Sequence, residues 1–249
     1  MSKKVFSEYS RYYDLLYLDK DYIGETEYIT NLLKRHGVTE GDLLEFGSGT
    51  GKHGRLIAQK GFQVHGIERS AEMVELARQG NGFTCEVGDI CNVQLGRYYD
   101  AVLSLFHVVS YQTTNADLHS VFARAAEHLR VGGIFVFDVW FSPAVFTEPP
   151  NVRVKRMGDE QVEIIRIAEP VIYANKNCVD VNYTIFSTDR STGSVQTLKE
   201  THPMRHFSLP ELDLMAKAHG FKKVNAEEFL TGNEPSVSTW GVCVTLERI

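Results

Sequence analysis

Glu45-Phe46-Gly47-Ser48-Gly49-Thr50-Gly51 is the stretch that decides the fold of this 249-residue chain. It ends the apolar segment Asp42–Phe46, which predicts a buried strand, and it precedes a helix that is predicted to begin near Arg55. Three glycines remove the Cβ atoms that would keep the backbone away from a ligand, and they permit positive φ angles. Free N–H groups at the start of the helix favour a negatively charged group. We therefore expect a strand–loop–helix unit that binds a ligand.

Strands and helices continue to alternate up to about residue 140. A second strand is predicted at Gln63–Ile67, and Ser70 can cap a helix that runs through Ala77. The later elements are the strands Phe83–Val87 and Tyr99–Leu105, a helix at Leu118–Leu129, and the strand Ile134–Val139. This alternation indicates a parallel sheet that is covered on both faces, which is a doubly wound α/β fold.

The pattern changes near Pro149. Residues 152–155, 162–167, 178–185 and 194–201 read as successive strands with polar turns and no helix between them, so an antiparallel β insertion is predicted over about 149–205. Ser208–Glu211 then forms a capping box for a helix that ends at Gly220, and two closing strands follow at Phe221–Ala226 and Thr239–Leu246. We interpret residues 1–249 as a single domain, with an N-terminal helix or lid at 1–40.

The amino-acid composition limits the classes of partner that this protein is expected to bind. The formal net charge of −6 gives no general basic surface for nucleic acid. Four cysteines lack metal-ligand spacing, so no metal site is expected and the thiols read as buried groups of a reducing compartment. No apolar run reaches membrane-spanning length and no signal sequence is recognisable. We expect a cytoplasmic protein with a small-molecule substrate and neither a nucleic-acid nor a membrane partner.

The glycine loop alone leaves two cofactors open. Gly49–Gly54 also matches the Gly-x-Gly-x-x-Gly dinucleotide pattern, and Glu68 lies 68 − 49 = 19 residues further on, near the position of a ribose-binding acid. This pattern would indicate a nicotinamide-dependent oxidoreductase. Glu45, however, places a carboxylate where it could pair with the ammonium group of a methionine moiety and would repel a pyrophosphate. Asp89, after the third strand, adds an acid near the expected adenine.

Taken in order, four motifs resemble those of class I S-adenosylmethionine-dependent methyltransferases. They are Glu45–Gly51, Glu68 at the end of the second strand, Gly88-Asp89 after the third, and Ser104–Val109 after the fourth. The resemblance covers almost the whole chain. It implies a Rossmann-like, seven-stranded, mostly parallel sheet with an antiparallel last strand, and S-adenosyl-L-methionine as cofactor. The cofactor-binding residues that it implies are Tyr13, Tyr17, Glu45, Gly47, Gly49, Gly51, Glu68, Arg69, Met73, Asp89, Ile90 and Leu105.

Within this resemblance the residues have assigned roles. Glu45 and the glycine loop lie at the methionine end, Glu68 lies on the ribose hydroxyls, and Asp89 and Ile90 lie around the adenine. Met73 either contacts the adenine as well or packs in the hydrophobic core. Tyr13 and Tyr17 belong to a tyrosine-rich segment that is expected to close over the cofactor as a lid.

The acceptor side is similar to N-methyltransferases of nucleotide-linked amino sugars. Tyr13–Leu18, Trp140-Phe141 followed by Pro143 and Phe146, and Glu200-Thr201-His202 carry this similarity. Two features depart from that group: Tyr111 stands where some members have a histidine, and Gly232–Pro235 replaces a second glycine-rich segment. Methylation of an oxygen on another small metabolite therefore stays open. The candidate acceptor residues are Tyr13, Tyr17, His107, Tyr111, Trp140 and His202.

For catalysis we select His107, Tyr111 and Tyr17. His107 has the best position, since the loop after the fourth strand lies beside the reactive methyl group in this fold, although a structural role is the plainer interpretation of a lone histidine. His202 is expected to be solvated on an edge strand, and Lys52 and His53 are expected on the exposed side of their helix. The insertion should cover the acceptor pocket or pair two subunits of a homodimer.

Overall fold

The computed structural model describes residues 20–77 and 79–249. Its helices are α1 (Tyr22–Arg35), α2 (Lys52–Ala58), α3 (Ala71–Leu76), α4 (Asn115–Glu127), α5 (Ser142–Thr147) and α6 (Leu209–Ala218). Its strands are β1 (Gly41–Phe46), β2 (Phe62–Glu68), β3 (Phe83–Val87), β4 (Tyr99–Ser104), β5 (Leu129–Phe141), β6 (Arg153–Gly158), β7 (Val162–Tyr173), β8 (Cys178–Asp189), β9 (Val195–Phe207), β10 (Phe221–Glu228) and β11 (Gly241–Arg248).

Seven of these strands form the expected sheet, in the order β3-β2-β1-β4-β5-β11-β10. The pairs β3–β2, β2–β1, β1–β4 and β4–β5 are parallel, whereas β11 runs antiparallel to both β5 and β10. The strand order reverses beside β1, so the glycine loop lies at the carboxyl edge where ligands bind in open α/β sheets. The predicted doubly wound, mostly parallel sheet is confirmed.

Helices cover both faces of this sheet. On one face α4 places Phe122 against Phe135 and Phe137 of β5, with ring centroids 5.6 Å apart in each pair. On the other face Ile29 and Leu32 of α1 are fully buried. The central strands are therefore apolar on both sides, which explains the continuous hydrophobic runs of the sequence.

The remaining four strands form the predicted antiparallel insertion. β6 pairs with β7, β7 with β8, and β8 with β9, all antiparallel. The chain divides into two compact units, one comprising Pro149–Arg205 and the other Asp21–Glu148 with His206–Ile249. β7 is longer than predicted and includes Pro170, which is tolerated because β6 pairs with β7 only as far as Ala168. The roles proposed for the insertion in covering the pocket or in dimer formation stay predictions.

Helix α1, which was predicted from Ile23–Leu33, is tied to the closing hairpin. The Tyr28 hydroxyl donates a hydrogen bond of 2.7 Å to Glu227 of β10, and the Arg35 guanidinium pairs with the same carboxylate. Burial raises the pKa of Tyr28, so its hydroxyl stays protonated and able to donate. The lid prediction falls on residues that lie outside the described part of the chain, and so do Tyr13 and Tyr17. Within the described part, no helix is both long and apolar enough to cross a membrane.

Gly51 offers a direct test of the glycine loop. Its φ is +71° at the start of α2, and a Cβ there would lie 2.5 Å from the Phe83 ring. We expect Gly51→Ala to lower the free energy of unfolding by about 1–2 kcal/mol through the left-handed backbone and by about 1–3 kcal/mol more through overpacking. Gly37→Ala is the matched control, because φ is +83° there and nothing lies within 4 Å. Urea unfolding measures both variants, and equal losses would show that the Phe83 contact carries no cost.

Candidate active site

The three loop glycines serve different purposes. Gly47 has a φ of +72°, and a Cβ there would lie 2.6 Å from the methyl carbons of Val108, so the loop packs against the turn after β4. Gly49 has a φ of +55°, but a Cβ there would meet only the Met73 sulfur at 3.9 Å. The middle of the loop thus faces open space, which is what the approach of a ligand to the backbone requires. Gly51 needs its positive φ to begin α2.

Glu68, the last residue of β2, braces this loop. Its carboxylate accepts hydrogen bonds from the Gly49 N–H at 3.0 Å and from the Ser70 N–H at 2.8 Å. Burial raises the pKa of Glu68, and these hydrogen bonds partly oppose the shift. Ser70 in turn caps α3 by accepting from the Met73 N–H at 3.2 Å, as predicted. The acid that was expected to contact the ribose therefore also fixes the loop, a role that its position in the sequence did not reveal.

Glu45 lies under the loop. Glu45 is only 2% exposed, and its Oε2 atom has no hydrogen-bond partner. This oxygen lies so close to Gly54 that a Cβ on Gly54 would be 2.6 Å from it. Burial, reinforced by the nearby Glu68 carboxylate, raises the pKa of Glu45 to about 8. A buried acceptor without a partner fits a cationic group such as the ammonium expected at this end of the site. The cofactor role of Glu45 stays a prediction.

The raised pKa of Glu45 gives a stability signature. Its ordinary value is 4.5, and the folded protein holds the proton up to about pH 8, so the folded state binds more protons than the unfolded state between these values. The contribution to the free energy of unfolding is therefore present below about pH 4.5 and is lost as the pH rises to about 8. We expect Glu45→Gln to flatten the pH dependence over this window in urea titrations. An identical slope in both proteins would contradict the raised pKa of the buried Glu45 carboxyl group.

The other predicted cofactor residues occupy the same sheet edge in different ways. Asp89 is half-buried and accepts from the Cys91 N–H at 2.9 Å, which shapes the turn after β3. Met73, Ile90 and Leu105 are buried among apolar neighbours, so they serve the core whatever else they contact. Arg69 is exposed beside Glu68. Their contacts with a cofactor stay predictions.

His107 lies in a strained turn just after β4. Phe106 and His107 have φ angles of +63° and +62°, which residues other than glycine adopt rarely. Such conformations are enriched at active sites. The His107 N–H donates to the Asp138 carboxylate at 3.1 Å, and the ring Nδ1 lies 2.7 Å from Asp138 Oδ2, although not aligned as a hydrogen bond. Asp138 is 1% exposed and belongs to β5. The site thus contains a histidine held beside a buried carboxylate.

Asp138 is a candidate site residue that was not predicted from the sequence. It stands alone within the apolar run Ile134–Val139, and a carboxylate inside a buried strand needs a partner. That signal was visible, but the partner was not, because 31 residues separate His107 from Asp138.

Aromatic rings lie close to His107. The Trp140 ring is 6.2 Å from the His107 ring and 5.8 Å from the Trp240 ring, measured between centroids. These three rings line one cavity of about 440 Å³. Tyr111 ends the short 3₁₀ turn Val108–Tyr111 in the same loop and is half-buried. The structure thus brings together His107, Trp140 and Trp240, the last of which was not predicted.

Two histidine predictions were wrong about exposure. His202 is 3% exposed rather than solvated, although its strand β9 pairs only with β8 at this residue. Its ring packs against the Tyr183 ring, with the centroids 4.8 Å apart, and lies 3.2 Å from the Glu200 carboxylate. His53 is 7% exposed, since α1 covers the start of α2 and places the Glu25 carboxylate 2.7 Å from the His53 ring. Lys52 keeps partial exposure, with its ammonium 5.0 Å from the Tyr22 ring.

Comparison with known proteins agrees with this geometry. Residues 43–133 match a family model described as a methyltransferase domain. Over 214 residues the chain is 30% identical to dTDP-3-amino-3,4,6-trideoxy-alpha-D-glucopyranose N,N-dimethyltransferase of Streptomyces venezuelae, covering 84% of this chain and 88% of the relative. It is 27% identical over 228 residues to dTDP-3-amino-3,6-dideoxy-alpha-D-glucopyranose N,N-dimethyltransferase of Streptomyces fradiae, covering 90% and 86%.

A solved structure shares the fold across the full length. It is that of S-adenosylmethionine-bound CalS10, an amino pentose methyltransferase from Micromonospora echinaspora, with a TM-score of 0.77, 22% identity and 100% coverage of both chains. The match to the methyltransferase model and the 30% identity to a methyltransferase favour the methyltransferase interpretation of the glycine loop over the dinucleotide interpretation. The chain belongs to the S-adenosylmethionine-dependent methyltransferases, in the family that includes the dTDP-amino-sugar N,N-dimethyltransferases.

Proposed function

We propose that this enzyme transfers a methyl group from S-adenosylmethionine to the amine of a nucleotide-linked amino sugar. The observation that carries the proposal is the 30% identity to a dTDP-amino-sugar N,N-dimethyltransferase, which extends over 84% of this chain. A site with a histidine beside a buried carboxylate supports it, because an amine that is protonated at neutral pH must lose a proton before it can attack a methyl group.

Each part of the site has a task in this reaction. S-adenosylmethionine, when bound, supplies an electrophilic methyl group. The open backbone at Gly49 admits the cofactor, and the Glu68 carboxylate has acceptor capacity left for ribose hydroxyls. Such a displacement needs mainly alignment and exclusion of water from the protein.

His107 is the residue that we assign to the proton. Its Nδ1 faces Asp138, so Nε2 is the ring nitrogen left to accept a proton from the acceptor ammonium in the cavity. Asp138 acts as a positioning residue. Its carboxylate accepts a hydrogen bond from the His107 backbone N–H and stabilises the positive charge that the ring gains with the proton. Tyr111, in the same turn, is the second candidate for this step.

The acceptor is tested with a matched pair of substrates. The enzyme is incubated with S-adenosylmethionine and either a dTDP-linked 3-amino-3,6-dideoxyhexose or the corresponding 3-hydroxy sugar, and the products are analysed by mass spectrometry. We expect one or two methyl groups on the amino sugar and none on the hydroxy sugar. Methylation of the hydroxy sugar instead would establish O-methylation, and failure of both sugars while another metabolite is methylated would overturn the acceptor class.

A further inference from the structure

The cavity beside His107 has a distinct chemical character. It lies in the unit formed by Asp21–Glu148 and His206–Ile249, where the turn after β4, the end of β5 and the β10–β11 hairpin meet. Its walls include Trp140, Phe229 and Trp240, together with His107 and Glu228. No lysine or arginine is among the described residues that line it.

The aromatic walls are fixed in place. The Trp140 and Trp240 rings stand at 84° to each other, so the edge of one indole meets the face of the other. Gly241, the first residue of β11, pairs with Trp140 of β5, and the Phe141 N–H donates to the Trp240 carbonyl, so Trp240 is held beside Trp140. Indole faces attract cations and pack well against apolar ring surfaces. The walls therefore suit a ring that carries a positive charge.

Glu228 supplies the opposite charge. Thr231 and Thr239 donate hydrogen bonds of 2.6 and 3.1 Å to its two carboxylate oxygens. Donation by these hydroxyl groups lowers the pKa of Glu228, so the carboxylate is ionised at neutral pH. The Asn233 side chain also donates to this carboxylate. A carboxylate has about four acceptor positions, so one remains for a ligand. No lysine or arginine of the described chain forms an ion pair with it.

We propose that this cavity binds the methyl acceptor as a protonated amine, with Glu228 as its counter-charge and Trp140 and Trp240 as its walls. The inference rests on the proposed function, because the bound amine is the group that His107 deprotonates. A cavity with one carboxylate and no cationic wall repels phosphate, so the phosphates of a nucleotide-linked acceptor lie outside it. Selection for an amine over a hydroxyl group is thus built into the β10–β11 hairpin.

The chain provides its own probe for this site. It contains two tryptophans, Trp140 and Trp240, and both line the cavity, so intrinsic fluorescence reports binding there directly. The full-length enzyme, saturated with S-adenosylhomocysteine, is titrated with cyclohexylamine and with cyclohexanol, which match in ring size and differ in charge. We expect saturable fluorescence changes with the amine, and at least tenfold weaker binding of the alcohol.

Two variants and one competitor make the result decisive. Glu228→Gln should bring amine and alcohol to similar affinity, whereas Glu234→Gln, an exposed acid in the same hairpin loop, should keep the tenfold preference. Inorganic pyrophosphate should not displace cyclohexylamine from the unmodified enzyme, a measurement that does not depend on how a variant folds. Equal binding of amine and alcohol by the unmodified enzyme, an unchanged preference in Glu228→Gln, or displacement by pyrophosphate would each overturn the proposal.

The fluorescence titration can fail or succeed independently of the amino-sugar methylation assay. If the dTDP-amino sugar is methylated but cyclohexylamine leaves the fluorescence unchanged, the acceptor class stands and this cavity is not its amine site. If cyclohexylamine binds with the expected preference but no amino sugar is methylated, the cavity is a cation site and the acceptor is a different amine.

Discussion

His107→Asn is expected to lower kcat by about 10²- to 10⁴-fold, the usual contribution of a positioned general base. Asparagine is the right replacement because it tolerates the left-handed backbone of +62° at this residue better than most side chains do. The variant also keeps the backbone N–H that donates to Asp138. Affinity for S-adenosylhomocysteine should stay within about twofold, because the side chain lies on the acceptor side of the site. Single-turnover kinetics with the amino sugar measure the effect.

A chemical rescue separates a catalytic from a structural role. Glycine also accepts the positive φ at this position, so His107→Gly leaves a space beside Asp138 without backbone strain. Imidazole in solution should restore part of kcat in that variant, which a purely structural histidine would not allow. If both variants turn over normally and Tyr111→Phe loses activity instead, the proton is taken by the tyrosine and our assignment is wrong.

Glu68→Ala is expected to weaken cofactor binding by at least tenfold. A hydrogen bond to a charged group contributes about 1.5–3 kcal/mol, and the variant loses the ribose contacts that we assign to this carboxylate. It also leaves the Gly49 and Ser70 N–H groups without their acceptor, so the loop loses its brace. Calorimetry with S-adenosylhomocysteine gives the dissociation constant directly.

Two further variants separate the loss of ribose contacts from the loss of support for the glycine loop. Glu75→Ala removes an exposed acid from α3 nearby and should leave the dissociation constant unchanged. Glu68→Gln keeps an acceptor for one backbone N–H but loses the charge, so it should fall between the unmodified enzyme and Glu68→Ala. An unchanged dissociation constant in Glu68→Ala, with a lower melting temperature, would mean that the carboxylate supports the loop and does not contact the cofactor.

The sequence by itself determined the features whose causes are local. The strand–loop–helix unit at Glu45–Gly51 follows from an apolar run, three glycines and a helix start within a few residues of one another. The Ser70 cap and the capping box at Ser208 follow equally short patterns, and both caps are present. The change from alternating helices to successive strands at Pro149 marked the insertion for the same reason.

Only the tertiary structure decided which of these residues meet. His107 and Asp138 are adjacent because β4 and β5 are parallel neighbours, so their carboxyl ends share one edge of the sheet. His53 is buried because α1, distant in sequence, lies over the start of α2 and supplies Glu25. Solvent exposure of a helical residue depends on such a neighbour, which helical periodicity does not contain.

The acceptor cavity is the clearest case. Trp240 joins Trp140 because β11 pairs antiparallel with β5 in the register that sets Gly241 opposite Trp140. Glu228 reaches the same cavity because β10 and β11 form a hairpin whose ends are joined by Thr239 and Glu228. Strand register across about a hundred residues is fixed by the packing of the whole sheet. The glycine loop, His107 and Trp140 could therefore be predicted from the sequence, whereas Trp240 and Glu228 could not.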